Sequence, residues 1–166
     1  MIFIGIDPGE HTGVAIWDTA EQSFRLLCTV PLHRALELVR LWSTASGLAV
    51  YRGGRKVHVV CEDARLRKWL PQERNASEYR GRLMGAGAAK RDARIWEEFL
   101  SDKDVALPWA DDRGLTFTMS RPTPGGTKWS AEQFAKVTGY AGRTSNHARD
   151  AALKVFGMKT IRLGMR

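Results

Sequence analysis

The sequence has only two cysteines, Cys28 and Cys61, and they form no CxxC pair. Both lie in apolar stretches, so we expect buried, reduced thiols. His11, His33 and His58 have no ligand spacing to one another or to cysteine, which argues against a zinc centre. No GxxxxGK[ST] motif is present, and this absence excludes a P-loop nucleotide site.

Long hydrophobic runs are also missing, and none approaches the length of a membrane span. The first seven residues have no basic start and reach an acidic residue at once, so we expect no signal peptide and a cytoplasmic or nucleoid-associated protein. The chain has 166 residues, no repeat and no dividing linker. These features predict one domain, residues 1–166.

Acidic residues are in the minority. Lysine and arginine number 26 against 18 aspartate and glutamate, which gives a formal net charge of +8. This excess favours a polyanionic partner, because neutralising phosphates releases counterions. A basic, solvated surface without such a partner is the alternative, and composition alone puts nucleic acid only modestly ahead.

Short apolar runs bounded by turn residues predict the strands of an α/β fold. These runs cover residues 2–6, 13–17, 24–30, 57–61 and 115–119. Short connections predict that the first three form an antiparallel meander. A helix that opens at Pro31 and closes at Gly47 separates the third strand from the fourth. The fourth can therefore pair in parallel with the first.

A long helix is predicted before the fifth strand by a stripe of apolar residues at helical spacing. The stripe comprises Tyr79, Leu83, Ala86, Ala93, Trp96 and Leu100. Small residues around Gly85 would let another backbone approach this helix closely.

Two shorter helices are predicted after the fifth strand. Ser130 and Gln133 form a capping box that starts the first of them. We expect Asn146 to cap the second and Gly157 to end it.

Two acidic residues follow predicted strands that we expect to be neighbours. Asp7 ends the first strand and Glu62 ends the fourth. If these strands are parallel, both carboxylates emerge at one sheet edge, where open α/β sheets bind ligands. Two adjacent acids repel unless a cation lies between them, and magnesium suits carboxylate oxygens. Asp63, beside Glu62, is an equal candidate on pattern alone.

His147 and Asp150 lie three positions apart at the start of the last predicted helix, so they share a face. With Asp7 and Glu62 they make three carboxylates and one imidazole, a set that could hold two metal ions roughly 4 Å apart for phosphodiester cleavage. Each part also has an ordinary explanation as a turn, a strand end or an acid favoured by a helix dipole. The conjunction is less expected by chance than any part.

At these residues the chain resembles the RuvC family of Holliday junction resolvases. The resemblance runs in order across nearly the whole chain, and no single segment is highly specific. It rests on Ile4-Gly5-Ile6-Asp7-Pro8-Gly9 with Thr12-Gly13, on Val60-Cys61-Glu62, on the small-residue segment 83–89, and on His147-Ala148-Arg149-Asp150-Ala151.

The resemblance implies a ribonuclease H-like fold, with a five-stranded mixed sheet and helices on both faces, in a homodimer. It implies a magnesium-dependent endodeoxyribonuclease that cleaves four-way junctions in branched DNA, with two Mg²⁺ ions per site and Mn²⁺ as a substitute. It assigns metal binding and catalysis to Asp7, Glu62, His147 and Asp150. The family's lysine before the last catalytic helix is matched best by Lys128.

The chain departs from the family pattern in two places, which suggests a divergent, phage-type branch. The loop between Gly9 and Thr12 is one residue short, and the segment 65–75 is longer and more basic than expected.

Within the segment 65–75, the residues Arg65, Arg67 and Lys68 are expected to hold DNA phosphates. Trp69 could stack on a base exposed at the junction centre. Packing of Trp69 into the core against Leu66 or Leu70 is the alternative.

Three other functions stay open at this level. One is a ribonuclease H-like nuclease acting on RNA, on an RNA–DNA hybrid or on flap DNA. Another is a sugar-kinase or actin-like ATPase, which needs two related halves that 166 residues do not accommodate. The third is a protein that binds branched DNA without cutting it. The acidic set argues against that, because carboxylates near phosphate weaken binding unless a metal intervenes.

Overall fold

The computed structural model describes residues 1–43, 56–67, 76–102, 115–122 and 129–159, including their side chains except those of residues 76–79 and 82. The strands are β1 (Ile2–Asp7), β2 (His11–Asp18), β3 (Ser23–Pro31), β4 (Val57–Glu62) and β5 (Thr116–Ser120). The helices are α1 (Leu32–Ser43), α2 (Ala76–Ser101), α3 (Ala131–Thr138) and α4 (Asn146–Leu153), and a 3-10 turn covers Ala64–Leu66.

The strands of these ranges form one mixed sheet in the order β3-β2-β1-β4-β5. β1, β2 and β3 pair antiparallel, whereas β4 lies parallel to β1 and β5 parallel to β4. This topology confirms the α/β class, the five-stranded mixed sheet and the predicted meander. Ile6 pairs with Cys61, so Asp7 and Glu62, the next residues, end neighbouring strands at one edge of the sheet.

Helices cover both faces of the sheet because β1 is apolar on both sides. Ile4 and Ile6 belong to a core cluster with Val39 of α1 and Trp96 of α2. Side chains alternate along a strand, and Phe3 accordingly packs in a second cluster on the opposite face. That second cluster includes residues of α3 and α4: Phe134, Ala151 and Ala152.

The predicted apolar stripe of α2 is correct only in its C-terminal half. Ala93, Trp96 and Leu100 are buried, whereas 42% of the Leu83 side chain is exposed. An ideal Cβ placed on Gly85 would meet nothing within 4 Å. The structure therefore shows no close backbone approach at Gly85 within the described part of this chain.

The ends of the last two helices show one confirmed cap and one correction. The capping box of Ser130 and Gln133 is present, as predicted. The N-cap of α4 is Ser145, whose side chain accepts from the Ala148 N–H, so the prediction of Asn146 was wrong by one residue. The helix also ends at Leu153, before the predicted Gly157.

Two expectations from composition have a structural outcome. Cys61 is a buried free thiol, as expected, whereas Cys28 is free but only half-buried. None of the described helices, the 26-residue α2 included, combines the length and apolarity needed to cross a membrane.

Candidate active site

Helix α4 lies directly on the backbone of β1 and β2, and two glycines make this approach possible. A Cβ on Gly5 would stand 2.1 Å from the carbonyl oxygen of Ala151, and one on Gly13 would stand 2.0 Å from that of His147. Only hydrogen fits in these positions. Gly13 is the cross-strand partner of Asp7, so this packing brings the start of α4 over the end of β1.

Asp7 and His147 are in contact as a result. The His147 Nδ1 atom lies 2.9 Å from Oδ2 of Asp7, and the side chains are 45% and 15% exposed, respectively. Burial raises the pKa of Asp7, and the nearby charges of Glu62 and Asp150 add to the rise, against the lowering effect of the His147 hydrogen bond. Asp7 is therefore in contact with His147 and is affected by the charges of Glu62 and Asp150. That the four residues form one catalytic metal site stays a prediction.

Glu62 has a partner that the sequence analysis missed. The Lys154 Nζ atom donates a hydrogen bond of 2.6 Å to Oε2 of Glu62. The side chains of Lys154 and Glu62 are only 7% and 20% exposed. The sequence did contain one indication that Lys154 lies near the site. Lys154 follows Asp150 by four positions, so the two residues share a helix face.

The neighbouring acid, Asp63, has a structural role on the other side of the sheet. It is 3% exposed, and its carboxylate accepts hydrogen bonds from the backbone and the guanidinium of Arg65. Arg65 also donates to Glu97 of α2 at 2.7 Å. Hydrogen bonding by Arg65 holds the pKa of Asp63 below its ordinary value. Of the two adjacent acids, Glu62 is therefore the one at the candidate site.

The residues expected to contact DNA have different positions. The Arg65 guanidinium is held by two carboxylates, and Arg67 is exposed at the end of the 3-10 turn. Lys68, Trp69 and Lys128 lie outside the described residues. DNA contact by Arg65, Arg67, Lys68 and Trp69, and the catalytic role of Lys128, stay predictions.

Arg149 is a second residue, after Lys154, that the sequence analysis left without a role, and its role here is structural. Arg149 lies in α4, directly before Asp150 in the sequence. It is almost buried, with 7% of its surface exposed. The guanidinium donates to the carbonyl oxygens of Trp129 and Thr144, to the Thr144 hydroxyl and to the Asn146 side chain. These bonds tie the start of α4 to the segments that precede it.

An open groove of about 430 Å³ adjoins the Glu62–Lys154 pair on the α4 side of β4 and β5. It is lined by Phe3, His58, Val60, Thr118, Ser120, Arg121, Lys154 and Met158. Ser120 is the register partner of Glu62, so the groove is continuous with the acidic site. It combines apolar surface with two cationic side chains, those of Arg121 and Lys154.

A divalent cation fits the site in its donor chemistry. Asp7, Glu62 and Asp150 supply carboxylate oxygens, which magnesium prefers, and His147 supplies a ring nitrogen that manganese accepts. As they stand, no three His, Cys, Asp or Glu side chains of the described ranges are grouped closely enough to hold a metal ion. Glu62 is paired with Lys154, so Asp7 and Asp150 are the carboxylates more open to an added cation.

No family model, curated protein or solved structure matches this chain. The evidence for the α/β fold and for the placement of the acidic residues therefore comes from the structure alone. A ribonuclease H-like fold and a relationship to the RuvC resolvases are proposals.

Proposed function

We propose that this protein is a metal-dependent, structure-selective DNA endonuclease with a ribonuclease H-like fold that cleaves four-way junctions. The supporting observation is the convergence of Asp7 and Glu62, at the ends of two parallel strands, with His147 and Asp150 on α4. Acidic groups that repel one another at a sheet edge are suited to a hard divalent cation, and such sites hydrolyse phosphodiesters.

The side chains of the site have distinct roles in this proposal. Magnesium bound by Asp7 and Asp150 would activate water and stabilise the leaving oxygen. An ionised Asp7 carboxylate can only accept from Nδ1 of His147, and in that state the proton of a neutral ring lies on Nδ1. Nε2 can then take up a proton, and His147 is a candidate general base or acid.

Charge and shape support nucleic acid as the substrate. The chain has a formal net charge of +8, and the groove beside the acidic site carries the exposed Arg121, whereas Lys154 is held there by Glu62. A cation at the groove would hold a backbone phosphate without reading its sequence. Thr118 and Ser120 add hydroxyl groups that can donate to the same phosphate.

Junction cleavage also requires two paired cuts, and we propose a two-fold dimer to supply two equivalent sites. The N-terminal half of α2 is the proposed interface. Met84 is 78% exposed there, and Cβ positions on Gly81 and Gly85, which lie on the same side of the helix as Met84, face open space. A partner helix could approach this face closely. A monomeric mass by light scattering, both free and on junction DNA, would contradict the dimer.

Cleavage of synthetic substrates tests the activity. Purified protein with Mg²⁺ is compared on a four-way junction, a flap, an RNA–DNA hybrid and a linear duplex. We expect cutting of the junction, abolished by Asp7→Asn and by Glu62→Gln, while junction binding in a gel-shift assay stays largely intact. For Asp7→Asn the loss follows from removal of a metal ligand. For Glu62→Gln it follows from leaving the nearly buried Lys154 ammonium group without its carboxylate partner beside the metal site.

Asp63→Asn is the matched control, because it removes a charge one residue from Glu62 but outside the site. It should retain cleavage. Full activity of Asp7→Asn with Mg²⁺ as the sole metal would overturn the site assignment. Preference for the hybrid or the flap would change the substrate class and leave the nuclease chemistry in place.

A further inference from the structure

The Lys154–Glu62 pair is a built part of the site and not a surface ion pair. The ammonium nitrogen lies 2.6 Å from the carboxylate oxygen, and 7% of the Lys154 side chain is exposed. An ammonium group so enclosed has little water to solvate it, and its charge is balanced mainly by the carboxylate it contacts. Such a pair differs from solvent-exposed pairs, which contribute little and exchange readily with ions.

The backbone of Lys154 is fixed where it can reach Glu62. Lys154 is the C-cap of α4, and its N–H donates to the carbonyl oxygens of Ala151 and Ala152. The Ala151 carbonyl oxygen lies against Gly5 of β1, so the end of α4 is held over the sheet. A cation at this helix end is also favoured by the helix dipole. The Lys154 ammonium group is therefore held at the carboxylate of the neighbouring strand.

The two other carboxylates of the site have no such cation among the residues that the structure describes. Within the described part of the chain, Asp7 is hydrogen-bonded to His147 and neither Asp7 nor Asp150 forms an ion pair with lysine or arginine. Among the described residues, the negative charge of Glu62 is thus balanced by a lysine, whereas no lysine or arginine balances that of Asp7 or Asp150. A divalent cation that enters will be drawn to Asp7 and Asp150.

We propose that Lys154 takes the place of one of two cations, so that the site binds a single divalent ion at Asp7 and Asp150. This inference rests on the proposed nuclease function. A second ion at Glu62 would have to displace an ammonium group from a nearly buried position, or share one carboxylate with it. Both are unfavourable, because the displaced charge loses its partner and the two cations repel.

Titration of the full chain with Mn²⁺ alone, without DNA, tests the inference by calorimetry. We expect the wild type to bind one ion per chain and Lys154→Met to bind two, since the neutral side chain leaves Glu62 free. Lys154→Arg keeps the charge and should bind one. Lys136→Met, an exposed lysine on α3, is the matched control and should also bind one. A purely structural role of Lys154 would not change the stoichiometry.

Two ions or none on the wild type, or one or none on a folded Lys154→Met, would overturn the inference. If the melting curve shows that Lys154→Met does not fold, the number of ions bound by the wild type and by Lys154→Arg tests the inference. Two ions on either protein refute it. The outcomes are separable from the cleavage test. A protein that binds two ions and cuts junctions contradicts only the inference, whereas one that binds one ion and cuts no substrate contradicts only the nuclease proposal.

Discussion

The Nδ1 atom of His147 lies 2.9 Å from Oδ2 of Asp7 although the two residues are 140 positions apart in the chain. The contact exists because α4 rests on two side-chain-free positions of the sheet, Gly5 and Gly13. The geometry of the candidate site is therefore a consequence of how closely one helix packs on two strands.

Gly13→Ala should separate α4 from the sheet and lower the free energy of unfolding by about 3 kcal/mol, the upper range for overpacking. The added methyl would stand 2.0 Å from the His147 carbonyl oxygen, and rigid backbone cannot yield there without moving the helix. Cleavage should fall with the loss of the Asp7–His147 contact. Chemical denaturation and single-turnover cleavage measure the two effects.

Gly87→Ala, on α2 but outside the face formed by Gly81, Met84 and Gly85, is the control for that substitution. Its Cβ meets nothing within 4 Å, and alanine is the better residue in a helix interior, so stability should rise by about 0.5–1 kcal/mol. Equal losses of stability in both variants would show that the close approach of α4 is not what makes Gly13 necessary.

Arg149→Met should lower the free energy of unfolding by about 3 kcal/mol, because hydrogen bonds from a charged group contribute about 1.5–3 kcal/mol each and their acceptors would be left unpaired. The bonds to Trp129 and Thr144 hold the segment before α4. Urea denaturation of this variant, beside the exposed Arg143→Met, measures the effect. An unchanged urea midpoint for Arg149→Met would contradict the tethering role.

Asp63→Asn should leave cleavage intact and lower stability by about 1 kcal/mol, a modest value because Arg65 is partly exposed. The amide oxygen can still accept from the Arg65 N–H and so keep the cap of the 3-10 turn. Melting curves and cleavage rates at a temperature where both proteins are folded give the comparison. A catalytic defect as large as that of Glu62→Gln would mean that the wrong acid has been assigned.

Stability should decline as the pH falls below about 6.5, in part through His58. Burial lowers the pKa of His58 from the ordinary value of 6.5. The unfolded chain therefore binds a proton at this residue before the folded chain does. The contribution of neutral His58 to the free energy of unfolding is fully present above pH 6.5. It is lost as the pH falls from 6.5 toward the lower pKa of His58 in the folded state. Denaturation at several pH values should show a shallower decline for His58→Gln than for the wild type.

Local pattern was sufficient for much of the fold. Alternation and apolar runs placed the strands, and the helix between the third and fourth strands indicated the parallel pairing of β1 with β4 that the structure has. The same reasoning put Asp7 and Glu62 at one edge. These features depend on residues near one another in the chain, whose spacing the sequence displays directly.

Other features could not be obtained this way. The apolar spacing of α2 continues through Leu83, but exposure depends on whether the sheet extends beneath that turn, and Leu83 is 42% exposed. Ser145 and Asn146 are both good capping residues, and the path of the chain into α4 decides between them.

The sequence by itself determined the strands, the capped helices and the order in which the acidic residues occur along the chain. Only the tertiary structure decided that His147 contacts Asp7, that Lys154 neutralises Glu62, and that Asp63 faces away from the site. The physical reason is the packing of α4 on Gly5 and Gly13. That contact joins distant parts of the chain at atomic distance, and it follows from the combined shape of helix and sheet, which no local spacing records.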